Sequence, residues 1–169
     1  MDIVTIDRFL NYYQKTRLVT QKVIGVIPAD ALDWNYKAGK FTIGDLVRHI
    51  AAIERHVFAE VAINNKPNYT GCGKELANGL ENVKAYFDEM HLQSMAIFRS
   101  LPDASLKRKI RSLDGKEIEL GSFLRALPVH EIHHRGALCI YLNLLDIDTP
   151  SVLGLKEEEI TFLSNRQNL

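Results

Sequence analysis

The chain has 169 residues, which suits one domain with a sizeable core. Charged residues make up 25% and hydrophobic ones 46%, the balance of a soluble globular protein. Lys plus Arg equals Asp plus Glu, 21 of each, so no net field draws in nucleic acid or an anionic membrane, and neither is expected as a partner.

The N-terminus, "MDIVTIDRFL", shows no basic region followed by an apolar one, so no signal peptide is expected. Residues 3–27 carry Ile6, Phe9, Leu10, Tyr13, Val19, Val23 and Ile24 at helical spacing, and Pro28 ends that helix. "ADALDWNYKAGKF" reads as loop, with Gly39 as a turn signal. Thr42 with Asp45 is a capping-box signature, and it opens "TIGDLVRHIAAIERHVFAEVAI". Ile43, Leu46, Val47, Ile50, Ile53, Val57 and Val61 form its apolar stripe. "NNKPNYTGCG" then breaks all periodicity.

A third helix is expected over about 78–101, with Leu80, Val83, Phe87, Met90, Ser94, Ile97 and Leu101 as its bundle seam and Pro102 as its end. "LKRKIR" (106–111) is a local basic run, read as solvated strand or loop. In "KIRSLDGKEIEL" an Asp114-Gly115 turn separates alternating residues, the signal of a short β-ribbon. The fourth helix runs from about Ser122 to Leu145, and Pro128 inside it predicts a kink before His130. "TPSVLG" is loop and "LKEEEITFLSN" a short closing helix. No apolar run approaches the roughly 18 residues of a membrane span. The expectation is an all-α, cytoplasmic protein: one domain over 1–169, a four-helix bundle with a short β-ribbon insert before the last long helix and a short C-terminal helix. Cys72 and Cys139 form no C-x-x-C, which argues against a disulfide framework and against a cysteine zinc knuckle. Cys139, within "ALCIYL", reads as core, and Cys72 as an inert thiol in its Gly-rich loop.

"PVHEIHHRGAL" (128–138) gathers His130, His133 and His134 around Glu131. On a helix His130 and His134 lie about 40° apart, one turn along, so both imidazoles can reach one metal ion. His133 lies about 60° to the other side of His130 and does not join them easily. A metal site that does chemistry needs a third protein ligand, and the second helix offers His49 or His56. These two share a face but stand about 10 Å apart along the axis, so one ion takes one of them. Spacing leaves that choice open, and it also leaves open that the pair are ordinary boundary residues. His91, isolated in the chain, reads as a hydrogen-bonded core histidine.

"HEIHH" also satisfies H-E-x-x-H. A metzincin would need glycine at 137 and histidine at 140, where Ala137 and Ile140 stand. Glu157, Glu158 or Glu159 could serve as the third ligand of another zincin, but they read first as the acidic opening turn of a solvated helix. A ferritin-like di-metal site needs two Glu-x-x-His pairs; Glu131 with His134 is one, and Asp88 with His91 is a short-armed substitute.

Three segments resemble the DinB/YfiT-like superfamily of metal-binding four-helix proteins. "LDWNYKAGKFTIGDLVRHIAAIERHVF" is similar to the family's tryptophan loop and histidine-bearing second helix; "LDGKEIEL" sits where the family has a short insert; "HEIHHRGAL" is similar to its H-x-x-x-H-R-G-Q signature. The resemblance covers about residues 5–163. It implies a divalent ion, nickel, zinc or iron, held by His49, His130 and His134. It also implies kinship with transferases and isomerases that use a low-molecular-weight thiol as cosubstrate, and a homodimer. Ala137 departs from the family's glutamine. Gly136 is expected to let the second helix approach closely, and Arg135 to pair with Asp45, Glu54 or Glu60, or to stand in solvent.

The expected function is a metal-dependent enzyme, hydrolase or thiol-dependent transferase, acting on an unknown small molecule. An ion held by three neutral imidazoles keeps its full charge and can activate water or a thiol. Glu131, about 60° from His134 on the helix, is the candidate catalytic proton carrier, with His56 and Glu60 as weaker candidates. The rival expectation is a non-catalytic, metal-stabilised bundle acting as a binding or stress-response module.

Overall fold

The computed structural model describes residues 3–151 and 154–166. Part of the expected "TPSVLG" loop, Val152 and Leu153, lies outside the described residues. The first two long helices start where side chains satisfy free backbone N–H groups. Thr5 accepts from Arg8 N, and Asp103, distant in sequence, accepts from Ile6 N at 2.7 Å, to begin α1 (Ile6–Gly25). Thr42 and Asp45 form both arms of the capping box, each 3.0 Å, to begin α2 (Ile43–Ile53). Gly44 N donates to Leu32 O at 2.8 Å, and a Cβ at Gly44 would lie 3.1 Å from the Leu32 side chain. Glycine there lets the tryptophan loop close onto the start of α2.

The second long helix is not uniform. After α2 comes a π-helical segment, Glu54–Ala59, then α3 (Glu60–Asn64). The apolar periodicity predicts a continuous helix here, and the π segment locally widens it. α4 (Leu80–Arg99) and α5 (Leu120–Asn143) complete the four-helix bundle, with Pro128 accommodated inside α5. Between them β1 (Lys109–Arg111) and β2 (Glu117–Glu119) pair antiparallel, Ile110 opposite Ile118, around a turn with Gly115 at φ 83°. The basic run is divided between core and surface: Leu106 is buried, Arg108 bonds Ala62 O, and Lys109 reaches Glu119. α6 (Glu157–Arg166) buries no residue. Among the described residues, no helix is long and apolar enough to cross a membrane.

The core is divided in two. One apolar cluster joins the start of α1 to the π segment, the end of α4, the ribbon and the start of α5. The other joins the end of α1 to α2, the start of α4 and the end of α5. Between them every long helix contributes buried polar residues: Thr16, Arg17 and Thr20 from α1, Glu54 from the π segment, His91 and Ser94 from α4, Glu131 and Arg135 from α5. On α1 this polar group continues the buried stripe of Ile6, Phe9, Tyr13 and Ile24, and Val19, expected among the apolar positions, turns away from it and is only half-buried. The histidines of α5 lie at this same middle level.

Candidate metal centre

His49 on α2 and His130 and His134 on α5 converge, each half-buried, with one ligand atom from each lying within 4.8 Å of the others. Nε2 of His49 is 3.1 Å from Nε2 of His130, and the His134 ring centroid is 4.5 Å from both partner rings. Two nitrogens bound tetrahedrally to one zinc-sized ion stand roughly 3.3 Å apart. The observed separation therefore fits a shared divalent ion, and imidazole donors suit zinc, nickel, copper or iron. No carboxylate or thiol belongs to this group among the described residues.

The triad is also in the right protonation state to bind. Burial lowers the pKa of His49. Burial, then neighbouring His134, His49 and His133, brings His130 down to about 3. Burial, then His49 and His133, brings His134 down to about 4. Near neutral pH each ring is uncharged and keeps a lone pair.

Two features behind His49 were not legible in the sequence. Tyr69, from "NNKPNYTGCG", places its hydroxyl 3.0 Å from His49 Nδ1. Arg48, buried although charged, holds that loop: it donates to Cys72 O (2.8 Å) and Ala77 O (3.0 Å) while pairing with Asp45 (2.6 Å). Asp45 and Arg48 at i, i+3 were the only local hint. Phe41, 40% exposed, lies with its ring 5.2 Å from that of His49, so the triad sits near the surface.

The other candidates are placed elsewhere. His133 touches only the edge of His134, with ring centroids 4.9 Å apart, and is exposed. His56 is half-buried and outside the convergent group; its carbonyl accepts from Asn68 N at 2.7 Å. Glu60 pairs with Arg55 and Asn64. Glu131, the candidate proton carrier, is fully buried, accepts from the Tyr13 hydroxyl at 2.9 Å and lies 3.6 Å from Arg17. Its position one residue after His130 turns it by about 100°, toward α1. His91 is a buried, hydrogen-bonded core residue, 2.8 Å from Glu54 and 3.1 Å from Gln14. Asp88 accepts from Gln21 at the surface, so no second Glu-x-x-His-like pair assembles. Glu157, Glu158 and Glu159 lie on exposed α6.

Arg135 pairs with none of the three carboxylates expected for it; it is buried and donates to Thr16 O at 3.3 Å. Gly136 is exposed, and a Cβ there would meet nothing within 4 Å, so it does not serve close helix approach. Ala137 packs against the cluster at the end of α5. Cys72 is half-buried, hydrogen-bonded to Tyr69, and burial raises its thiol pKa. Cys139 is half-buried against the same cluster as Ala137.

Comparison with known proteins agrees with this architecture. Uncharacterized protein YrdA of Bacillus subtilis (strain 168) is 22% identical over 159 residues, covering 92% of each chain. A DinB-like protein from Bacillus cereus ATCC 10987 superposes with a TM-score of 0.74 at 18% identity, over 88% of this chain and 97% of that one. YfiT from Bacillus subtilis, described as a probable metal-dependent hydrolase with an unusual four-helix bundle topology, superposes with a TM-score of 0.64 at 18% identity, over 85% of this chain and 89% of its own. The family model of the DinB superfamily matches residues 12–138, and with that match over most of its length the chain belongs to the DinB superfamily.

Proposed function

We propose that this protein is a metal-dependent enzyme of hydrolytic type, with one divalent ion held by His49, His130 and His134. The observation that carries the reading is the convergence of three imidazoles within 4.8 Å, with no fourth His, Cys, Asp or Glu in the group among the described residues. A structural site usually closes its fourth position with protein, and a catalytic one leaves it open. When bound, a divalent ion there supplies Lewis acidity that activates water, or a thiol, near neutral pH. Tyr69 orients His49, and Arg48 anchors the loop that carries Tyr69. Glu131, enclosed against α1, serves the scaffold in this reading and not proton transfer. YfiT's description as a probable metal-dependent hydrolase supports the hydrolytic class. Transfer to a low-molecular-weight thiol is the variant of the same chemistry that the family resemblance implies. The substrate is a small molecule, and the protein works as a cytoplasmic homodimer.

The test is metal content by elemental mass spectrometry of untagged protein offered zinc, nickel, iron and manganese. Wild type should hold about one ion, and His49→Ala, His130→Ala and His134→Ala should each lose it while remaining folded. An ion-free wild type, or retention by the three variants, would refute the assignment. An ion that resists exchange and supports no hydrolysis or thiol transfer would favour the non-catalytic bundle.

A further inference from the structure

The two helices that carry the histidine triad are also joined from behind. Arg17 on α1 is completely buried. Its guanidinium contacts Glu54, which follows α2 at the start of the π segment, and lies 3.6 Å from Glu131 on α5. Both carboxylates are completely buried as well. Arg17 also lies over the ring of Phe87 on α4, 3.8 Å from its centroid. One cation thus links all four long helices at a single level of the bundle.

The placement of the two carboxylates matters. Glu131 directly follows His130, and Glu54 lies five residues after His49. On a helix these offsets are rotations of about 100° and 140°, so each acid points well away from its neighbouring histidine. The α2–α5 pair therefore carries histidines on one side and two acids on the other, and Arg17 holds the acids together. Tyr13 adds a hydrogen bond to Glu131, and His91 contacts the second oxygen of Glu54.

We infer that Arg17 is a positioning residue for the metal centre: by binding Glu54 and Glu131 it fixes the relative position of α2 and α5, and so the distance between His49 and His130, before any ion arrives. This rests on the metal-centre reading given above. A single Arg between two carboxylates in a dry core is a demanding arrangement, since each charge there needs its partner. Apolar residues would fill the same space with less electrostatic constraint. What the charged arrangement adds is direction: it fixes two helices in one register, as buried polar groups do in other bundles.

The test compares cobalt(II) binding to wild type, Arg17→Lys, the double variant Glu54→Gln/Glu131→Gln, and Val23→Ala as a packing control elsewhere on α1. Affinity is read by competition with a chelator, geometry by the visible cobalt spectrum, and folding by circular dichroism. The double variant keeps the shapes of both side chains and removes the charges that Arg17 binds, so it decides the question if Arg17→Lys does not fold. We expect the charge variants to lose about tenfold or more in affinity, as supporting residues of metal sites do, and to show an altered cobalt spectrum. Val23→Ala should retain both. Folded charge variants with wild-type affinity and spectrum would overturn the positioning role and leave the metal site intact. Equal loss in Val23→Ala would reduce Arg17 to general packing, which also overturns it. A wild type that binds no cobalt would instead refute the metal centre itself.

Discussion

The hydroxyl of Tyr69 stands 3.0 Å from Nδ1 of His49, while Nε2 of the same ring faces Nε2 of His130. One imidazole nitrogen therefore meets the loop and the other meets the site. When Nδ1–H donates to the phenol oxygen, the lone pair is fixed on Nε2, where an ion would need it. Tyr69→Phe should keep the fold and weaken metal binding by about tenfold, measured by chelator competition. Unchanged affinity would mean that packing alone orients His49.

Removing the ion should be visible as lost stability. A ligand that binds only the folded state adds about 2.7 kcal/mol at a hundred times its dissociation constant. For a chain of this size that corresponds to a rise in Tm of roughly 5–10 °C. Zinc should raise the melting temperature of the chelator-treated wild type, and the rise should vanish in His130→Ala. Equal zinc stabilisation of both proteins would place the ion elsewhere.

The elements were legible because they are local. Helical periodicity, Pro28, Pro102, the Thr42–Asp45 box and the Asp114-Gly115 turn each encode their own structure within a few residues. Spacing identified His130 with His134 as a pair, but the choice between His49 and His56 came from family resemblance. What the sequence did not reveal depends on distant contacts. Arg17 shares the stripe of Tyr13 and Ile24, but the carboxylates that receive its charge, Glu54 and Glu131, are distant in sequence, and Glu131 reads as a neighbour of the histidines until its rotation toward α1 is seen. Tyr69 lies in a segment with no periodicity, and contacts distant in sequence, Arg48 on Cys72 O and Asn68 N on His56 O, hold that segment beside His49. The π segment had no signature, because the apolar residues on either side keep helical spacing.

Gly136 and Gly121, both within α5, should respond differently to alanine. At Gly136 an added Cβ meets nothing within 4 Å, so Gly136→Ala should stabilise the helix by about 1 kcal/mol without altering metal affinity. At Gly121 the Cβ would lie 3.3 Å from Leu106 O, a tight contact with backbone that should cancel the same gain. Thermal melts of the two variants provide the comparison. A loss of metal on Gly136→Ala would restore the idea that this glycine serves the approach of α2.

His91 should make the bundle acid-sensitive. Its ring is buried, with Nδ1 2.8 Å from Glu54, Nε2 3.1 Å from Gln14 and the Tyr13 ring edge-on. The Glu54 carboxylate alone would favour imidazolium, but Arg17 already occupies that carboxylate. Burial, then the charges of Arg17 and Arg99, brings His91 down to about 3. The unfolded chain takes up this proton below its ordinary value of about 6.5, whereas the folded chain does so only near the lower value. Between these limits the unfolded state binds more protons, so stability falls as pH falls, by up to about 1.4 kcal/mol per pH unit from this group. The loss should begin just below pH 6.5 and level off near pH 3. Other groups titrate in the same range, so the informative quantity is the difference between wild type and His91→Gln in urea unfolding at successive pH values. The variant should lose stability less steeply through this window. Parallel curves would show that His91 takes up its proton equally in both states, with Glu54 balancing the cost of burial.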